Sequence, residues 1–296
     1  MTTATSRFLE YITVETTSSE TSGLRPSTPG QKVLAEKLME EMRALGLQDV
    51  HMTPEDGAVF GTIPANTERK VPVLGFLAHM DTSCAASGKN VKARIIRNYD
   101  GGTIQLNDTV SMSPDTGYEC LSEVMGEDII VTDGTTLLGA DDKAGVAEIF
   151  AAVERLVRDP RLAHGRVAVC ITPDEEVGRG ADYVDLARLG AAFAYTVDGG
   201  PLGTLEYENF NAAAGTVLLH GVNIHPGEGK NKMRNACLMA AQFIAMVPPA
   251  EAPAHTEGYE GFYHLCAMTG DESQARLEWI IRDHDQARFA ERKETL

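Results

Sequence analysis

The amino-acid sequence predicts an α/β protein, in which a mostly parallel sheet flanked by helices precedes a smaller α+β domain. Between residues 144 and 197, helical and strand-like patterns alternate along the chain. This alternation is typical of a parallel sheet that is covered on both faces. After residue 210 the pattern changes, and two strands follow one another without a helix between them. Because 296 residues can form two cores, we place the domains at 1–210 and 211–296.

The first domain opens with two helical patterns. Apolar residues between 9 and 14 indicate a short helix, and a polar loop follows it. A second helix begins at Thr28, with Thr28 as N-cap, Pro29 at the first helical position and Gln31 placed to complete a capping box. Apolar residues then recur at helical spacing from Val33 onwards, and Gly46 marks the end of this helix.

The remaining elements of the first domain alternate more regularly. Short strands are predicted at 59–63 and 73–77, and the polar segment 87–133 favours hairpins over a helix. The elements predicted further along the chain are a helix from Ala144, a strand at 167–172, a helix near 180–189, strands at 191–197, 212–219, 262–268 and 275–282, a helix at 235–246 and a last helix from Asp285.

Composition limits the function classes. The net charge of −17 argues against nucleic acid and anionic membranes as partners. The five cysteines form no C-x-x-C pair, so we expect free thiols in a reducing compartment. Neither a signal-peptide pattern nor an apolar run near the roughly 18 residues of a membrane span is found. We therefore expect a cytoplasmic protein that does not enter a membrane.

Four clusters of acidic or histidine residues carry the chemistry. They are His79-Met80-Asp81, Ala140-Asp141-Asp142, Pro173-Asp174-Glu175-Glu176 and Val197-Asp198-Gly199-Gly200. Three follow strand-like runs directly, and the fourth opens a helix. Ligands in open α/β sheets bind at the carboxyl ends of the strands, so these side chains are expected at one edge of the sheet.

Each cluster also has an ordinary structural interpretation. A histidine at a strand end is often only hydrogen-bonded, the Asp141-Asp142 pair could cap a helix, and Asp198 could be a turn residue. The three consecutive acids that begin at Asp174 could form a solvated turn, but metal ligation is favoured, because the acids repel one another and each resists desolvation. A metal ion removes that cost. Several carboxylates with one imidazole suit zinc, cobalt or manganese, and no serine-hydrolase or phosphate-loop motif competes.

The motifs resemble those of the peptidase T family, within the zinc aminoacylase/carboxypeptidase superfamily. The matching segments are 75–83 (GFLAHMDTS), 87–91 (SGKNV), 132–145 (TDGTTLLGADDKAG), 172–178 (TPDEEVG), 195–200 (YTVDGG), 206–212 (EYENFNA), 256–264 (TEGYEGFYH) and 280–283 (IIRD). The resemblance spans nearly the whole chain. It implies a catalytic zinc-peptidase domain over 1–210 and a lid or dimerisation domain over 211–296.

The resemblance also implies roles for individual residues. The metal ligands it implies for two zinc ions are His79, Asp141, Glu176 and Asp198. Asp141 would bridge the two ions, and Glu175 would be the general base that takes a proton from the attacking water. Asp81 would orient the ligand histidine.

In the second domain, the resemblance implies residues that bind a short peptide. His225 matches a residue that often reaches across a homodimer to polarise the scissile carbonyl. Arg282 and Asn235 would bind the carboxylate of the peptide, for which the bidentate fork of arginine is suited. The alternative for Arg282 is a surface salt bridge. The family comparison therefore predicts a homodimer formed through the lid domain.

Two departures from the family pattern qualify this prediction. Glu228 and Arg234 stand where smaller or apolar residues are usual. Family members also continue past the equivalent of Leu296, into the last strand of the lid and a histidine motif for the second zinc. We expect a truncated chain whose second zinc site lacks that histidine, with an unpaired sheet edge and reduced stability.

The leading hypothesis is a zinc-dependent aminopeptidase that acts on tripeptides. A second hypothesis is a truncated, catalytically impaired remnant that binds metal without turnover. A third keeps the hydrolysis but changes the substrate to dipeptides or N-acyl amino acids. The number of metal ions bound per chain separates the first hypothesis from the second, and the substrate profile separates it from the third.

Overall fold

The computed structural model describes residues 1–296 and divides the chain into two compact units, Met1–Leu202 and Gly203–Leu296. The division falls after Leu202, whereas the predicted domain boundary lies between residues 210 and 211; that boundary stays a prediction. No helix in the structure combines the length and the apolar character that crossing a membrane requires.

The first unit contains four α-helices and nine strands. The helices are α1 (Ala4–Tyr11), α2 (Pro29–Ala44), α3 (Ala140–Arg158) and α4 (Leu186–Leu189). The strands are β1 (Gln48–Met52), β2 (Val59–Ile63), β3 (Leu74–His79), β4 (Arg94–Ile96), β5 (Ile104–Gln105), β6 (Ser111–Met112), β7 (Ile129–Val131), β8 (Val167–Thr172) and β9 (Phe193–Thr196). Short 3₁₀ helices cover Pro114–Thr116, Glu119–Val124, Glu175–Val177 and Gly180–Tyr183.

The central sheet has five strands in the order β1-β2-β8-β3-β9. Strands β8, β3 and β9 run parallel, and β2 pairs antiparallel with both β1 and β8. The α/β class is therefore confirmed. In the register of the parallel pair, His79 lies opposite Thr172, so the ends of β3 and β8 are level. This places the clusters that follow the two strands side by side. The segment 87–133 forms two small hairpin-like pairs, as predicted.

Helices α1, α2 and α3 pack their apolar faces against one side of this sheet. The largest fully buried side chains of this core include Tyr11, Leu34, Leu38, Met42, Phe150 and Ile171. Val33, which fits the same helical spacing, is instead 56% exposed, because the buried stripe of α2 runs through Leu34 and Leu38. On the other side of the sheet, Phe60, Cys170, Tyr183 and Leu189 form a smaller core.

Two local predictions for the first unit are wrong. The single helix expected near 180–189 is a 3₁₀ turn followed by the four-residue helix α4, with Asp185 capping the latter. The capping box expected at Thr28 is also absent, since the Thr28 side chain accepts no backbone N–H group of the helix. Gln31 turns into the protein instead, where it is 0% exposed and binds Asp174.

The second unit is a three-stranded antiparallel sheet with two helices on one face. Its elements are β10 (Asn211–His220), α5 (Ala236–Met246), β11 (Phe262–Gly270), β12 (Gln274–Asp283) and α6 (Gln286–Thr295). The strand order is β10-β12-β11. Half-buried residues alternate with exposed ones along β10, and buried residues alternate with more exposed ones along β12. The buried side chains of β12, Leu277, Trp279 and Ile281, form the centre of this core. The predicted α+β character is confirmed.

A buried ion-pair network joins α1 to α2 and α3. The Arg7 guanidinium lies 2.7 Å from Glu154 Oε2 and 2.5 Å from Glu41 Oε1, and Arg7 and Glu154 are 2% and 1% exposed. Arg7→Ala leaves Glu154 buried beside Arg158 alone, so we expect the free energy of unfolding to fall by about 3 kcal/mol. Urea unfolding followed by circular dichroism measures this loss.

The matched control is Arg161→Ala, because Arg161 also pairs with an acid, Asp159, but is 88% exposed. That change should alter stability by less than about 1 kcal/mol. Equal losses for the two variants would contradict the assignment of the Arg7 network as a stabilising contact.

The second unit should lose stability in acid through Asp283, which is 1% exposed. Burial raises the pKa of this carboxyl, but hydrogen bonds from Arg292 Nε (2.7 Å) and the Asp285 N–H (2.9 Å) outweigh burial and hold the pKa below its ordinary value. A carboxyl whose pKa is lower in the folded state stabilises the fold above the unfolded pKa. This contribution is lost as pH falls through the folded pKa. Fluorescence of Trp279, the one tryptophan, reports unfolding of this unit.

We expect the advantage of wild type over Asp283→Asn, in free energy of unfolding, to shrink between about pH 6 and about pH 3. Glu294→Gln removes an exposed carboxyl from the same unit and should show no such change. An advantage that is the same at both pH values would rule out Asp283 as the source of acid sensitivity.

Candidate metal centre

His79 is the last residue of β3 and is held rigidly at the end of the strand. It is 2% exposed, and its backbone N–H donates to Asp142 Oδ2 at 3.1 Å. Its ring Nδ1 lies 3.1 Å from the backbone oxygen of Asp81 and 3.3 Å from Asp81 Oδ1. Because Nδ1 is occupied by acceptors, the ring is fixed with Nε2 free to face the edge of the sheet.

Nε2 of His79 faces carboxylates that come from the other three clusters. It lies 2.9 Å from Asp141 Oδ1, 3.7 Å from Asp198 Oδ2 and 3.8 Å from Glu175 Oε2. One ligand atom each of His79, Asp141 and Asp198 can be chosen so that all lie within 4.8 Å of one another. Residues that are up to 119 positions apart in the sequence (79 to 198) thus meet at one point.

Asp81 links the strand ends of β3 and β8. It is 0% exposed, and its two carboxylate oxygens accept the backbone N–H groups of Glu175 (3.0 Å) and Glu176 (3.1 Å). The same carboxylate lies beside the His79 ring. Asp81 therefore sets the position of the imidazole and of both glutamates together.

The start of α3 presents its two aspartates in opposite directions. Asp141 and Asp142 depart from helical dihedral angles, and the peptide bond between them is cis. The Asp141 side chain is 71% exposed beside His79 Nε2, whereas Asp142 is buried and accepts the N–H groups of His79 and Gly145. A Cβ on Gly145 would lie 1.9 Å from the Val197 oxygen, so only glycine allows α3 to approach the end of β9 this closely.

Burial and, to a smaller extent, mutual repulsion disfavour the charged carboxylates of the centre. Burial, together with neighbouring carboxylates, raises the pKa values of Glu175, Glu176 and Asp198. Burial is also the main cause that raises the pKa of Asp142 to about 8. Burial lowers the pKa of His79, but the hydrogen bond and charge of Asp81 and the charges of Asp142 and Asp198 raise it to about 10. The charged forms of these carboxylates are therefore unfavourable unless further positive charge lies close to them.

The residues present fit a divalent cation. An imidazole nitrogen and several carboxylate oxygens converge on one region, and a cation would relieve the repulsion that raises their pKa values. This donor set suits zinc, cobalt and manganese. Of the four predicted ligands, His79, Asp141 and Asp198 are brought together. The backbone N–H of the fourth, Glu176, donates to Asp81, and the charge of Asp141 contributes to its raised pKa.

The predicted substrate-binding residues lie in the second unit. Asn235 caps α5, with its side-chain oxygen accepting the Leu238 N–H at 3.1 Å. His225 is exposed at the start of a 3₁₀ turn. Arg282 forms no salt bridge; its guanidinium lies 5.5 Å from the centre of the Phe210 ring and donates to the backbone oxygens of Ala213 and Ile281.

Sequence reasoning missed the residues that support the centre from behind. The sequence places Asp142 with Asp141 in one acidic motif, whereas in the structure Asp142 holds the His79 backbone. The sequence predicts Gln31 as a capping residue, and no pattern in it indicates contact with Asp174, 143 positions away. Asp174 stands out in the sequence only as part of an acidic run. Runs of adjacent acids in the sequence indicate that Asp142 and Asp174 could lie near the centre, but no such pattern indicates this for Gln31.

Comparison with known proteins adds the family relationship. Residues 207–296 match the family model of the M20 peptidase dimerisation domain. The chain is 54% identical over 289 residues to "Peptidase T" of Halothermothrix orenii, which covers 97% of this chain and 70% of that relative. The chain thus spans about 70% of the length of this relative.

Solved structures share the fold. A tripeptidase from Staphylococcus aureus matches with a TM-score of 0.72 at 24% identity, over 99% of this chain and 69% of that one. The YXEP protein of Bacillus subtilis, described as a dinuclear metal binding peptidase from the M20 family, matches with a TM-score of 0.54 at 13% identity, over 99% and 68%.

Proposed function

This chain belongs to the peptidase T family, and on that premise we propose that it is a metal-dependent aminopeptidase that releases the N-terminal residue of tripeptides. The observation that carries the proposal is the convergence of Asp141, Asp198 and Glu175 on Nε2 of His79. The relative named peptidase T and the structural neighbour described as a tripeptidase support the substrate class.

We assign the metal ligands as the family resemblance implies. His79, Asp141, Glu176 and Asp198 would hold zinc, and the first, second and last of these are brought together in the structure. Zinc in such a site polarises a carbonyl group and lowers the pKa of water. Asp81 would keep the His79 ring oriented, because its carboxylate faces Nδ1.

Glu175 would act as the general base. Its carboxylate lies 3.8 Å from His79 Nε2 and is half exposed, so a water molecule can reach it. Burial, with the charges of Asp198, Asp81 and Asp141 adding to it, raises the pKa of Glu175, which makes its carboxylate a stronger base. Glu175 would take a proton from the attacking water and return it to the amine that leaves when the peptide bond breaks.

Binding of the peptide carboxylate is assigned to Arg282 and Asn235. The contacts of Arg282 with two backbone oxygens and Phe210 hold its guanidinium without an acidic partner, so its charge is available for an anion. As the family resemblance implies, His225, exposed on its turn, would reach across a homodimer to polarise the scissile carbonyl. Substrates with a free carboxylate two residues beyond the scissile bond are therefore proposed.

The test of the proposed function is Glu175→Ala with zinc supplied. We expect hydrolysis of a tripeptide such as trialanine to fall at least about 100-fold in kcat, because the general base is lost. Zinc binding should persist, since Glu175 is not assigned as a ligand. Glu123→Ala removes an exposed glutamate in the same unit and should leave the rate unchanged. Liquid chromatography of released alanine measures the rate, and equilibrium dialysis measures bound zinc.

The same assay separates the alternatives. Hydrolysis of a dipeptide or an N-acyl amino acid in preference to the tripeptide would replace the substrate class. No hydrolysis by the wild-type chain, with one or no zinc ion bound, would overturn the enzyme proposal and favour a metal-binding remnant.

We also propose that the second unit forms a homodimer through α5. The matched family model describes a peptidase dimerisation domain, and a second copy of this chain is therefore the expected partner. No charged residue occurs in α5, although Leu238 and Met246 are 66% and 79% exposed. Ala241 and Ala245 are exposed on the same helix face and allow close approach of another helix. Such an uncharged face suits a two-fold contact with its own copy.

Leu238→Asp should convert the dimer to a monomer, because it would place two buried charges in a symmetric interface. Light scattering after size-exclusion chromatography measures the mass. The matched control is Leu186→Asp, since Leu186 is 74% exposed on the first unit. A wild-type chain that is monomeric, or a Leu238→Asp variant that stays dimeric, would exclude α5 as the interface.

A further inference from the structure

We propose that Asp174 and Gln31 are positioning residues that hold Glu175 and Glu176 in place. Neither residue is assigned a role in chemistry, and neither belongs to the group of His79, Asp141 and Asp198. The inference rests on the proposed function, because it concerns how the proposed base and a proposed metal ligand acquire their geometry. It assigns that task to a buried contact between the start of α2 and the end of β8.

The segment that carries the two glutamates is held by its backbone. Three consecutive N–H groups donate to buried side chains: that of Asp174 to Gln31 Oε1 at 3.0 Å, and those of Glu175 and Glu176 to the two oxygens of Asp81 at 3.0 and 3.1 Å. Two side chains from distant parts of the sequence therefore fix this turn. Gln31 fixes the backbone N–H of Asp174, and Asp81 fixes the N–H groups of Glu175 and Glu176.

The Asp174 side chain is a buried carboxylate surrounded only by donors. It is 0% exposed, and it accepts the Ser27 N–H at 2.8 and 3.0 Å, Gln31 Nε2 at 2.7 Å and the Tyr183 hydroxyl at 3.4 Å. No cation pairs with it. A φ of +57° at Asp174 also places the residue in the left-handed region, a conformation that side-chain contacts must maintain.

The orientation of Gln31 follows from the same contacts. Because its Oε1 accepts the Asp174 N–H, its Nε2 must face the Asp174 carboxylate. Asp174→Asn would place an amide NH₂ group against Gln31 Nε2 or against the Ser27 N–H. Reversing the pair, with Asp174→Asn and Gln31→Glu together, restores one carboxylate facing one amide. The hydroxyls of Ser27 and Thr28, each 3.2 Å from Gln31 Nε2, can then donate to the new carboxylate.

A small shift of this turn is expected to be costly. Loss of a residue that orients a metal ligand typically lowers metal affinity or activity roughly 10- to 100-fold. A displacement of about 1 Å at a reacting group can alone cost about 100-fold in rate. Loss of the Gln31 contact frees the first peptide of the turn while Asp81 still holds the other two, so we expect the lower part of this range.

The experiment compares Asp174→Asn, Gln31→Ala and the double variant Asp174→Asn/Gln31→Glu with wild type. Asp185→Asn is the matched control, because Asp185 caps α4 at an exposed position. Three quantities are measured: thermal stability without metal, zinc affinity by competition with a chromogenic chelator, and kcat and KM for a tripeptide, all well below the unfolding temperature. Gln31→Ala covers the case in which Asp174→Asn does not fold.

We expect each single variant to lose roughly 10-fold or more in kcat or in zinc affinity, with KM changed less than about threefold. The double variant should recover both to within about threefold of wild type, and Asp185→Asn should match wild type. Single variants that lose only thermal stability would overturn the proposal, because the contact would then be structural. A double variant that regains stability without regaining zinc affinity or kcat would overturn it as well.

Failure of the proposed function can be distinguished from failure of the positioning proposal. If the wild-type chain does not hydrolyse tripeptides, the zinc affinities of the same variants still decide whether Asp174 and Gln31 position the glutamates. If the wild-type chain binds no zinc and hydrolyses no tripeptide, both proposals are overturned.

Discussion

The carboxylate of Asp81 is the contact on which the rest of the centre depends. It is fully buried and faces the ring nitrogen of His79, while its two oxygens accept the N–H groups of Glu175 and Glu176. Burial of a carboxylate is unfavourable unless such donors satisfy it. Since the donors come from the ends of two parallel strands, the contact also keeps those ends level. The hydrogen bonds that the buried Asp81 carboxylate accepts therefore determine how the imidazole lies relative to the acids.

A second consequence is that the centre opposes folding when no cation is present. Asp142, Glu175, Glu176 and Asp198 all have raised pKa values, mainly through burial and with mutual repulsion adding to it. The surrounding contacts must hold these groups together against that repulsion. A cation that binds only the folded chain would stabilise it by mass action. Repulsion at functional sites is a common reason why a site is less stable than its surroundings.

The sequence predicted the elements that depend on local pattern, and it failed where distant residues decide. The strand at 167–172 and the acids after it follow from apolar runs and turn signals, so both could be predicted. Burial of Gln31 could not be, because it depends on a carboxylate 143 positions away. The different roles of Asp141 and Asp142 depend on backbone angles that depart from the helix they open, which no residue pattern specifies.

Residues 14–18, near the start of the chain, also hold the centre in place, and this links metal binding to the folding of the whole first unit. Thr82, next to Asp81, exchanges backbone hydrogen bonds with Thr16 and Ser18. The Lys143 ammonium, buried beside the acids, donates to the backbone oxygen of Val14 at 2.8 Å. The donors around His79 thus depend on segments from most of the first unit. Partial folding would not bring them together, so a cation that requires all of them should bind in step with the cooperative folding of that unit.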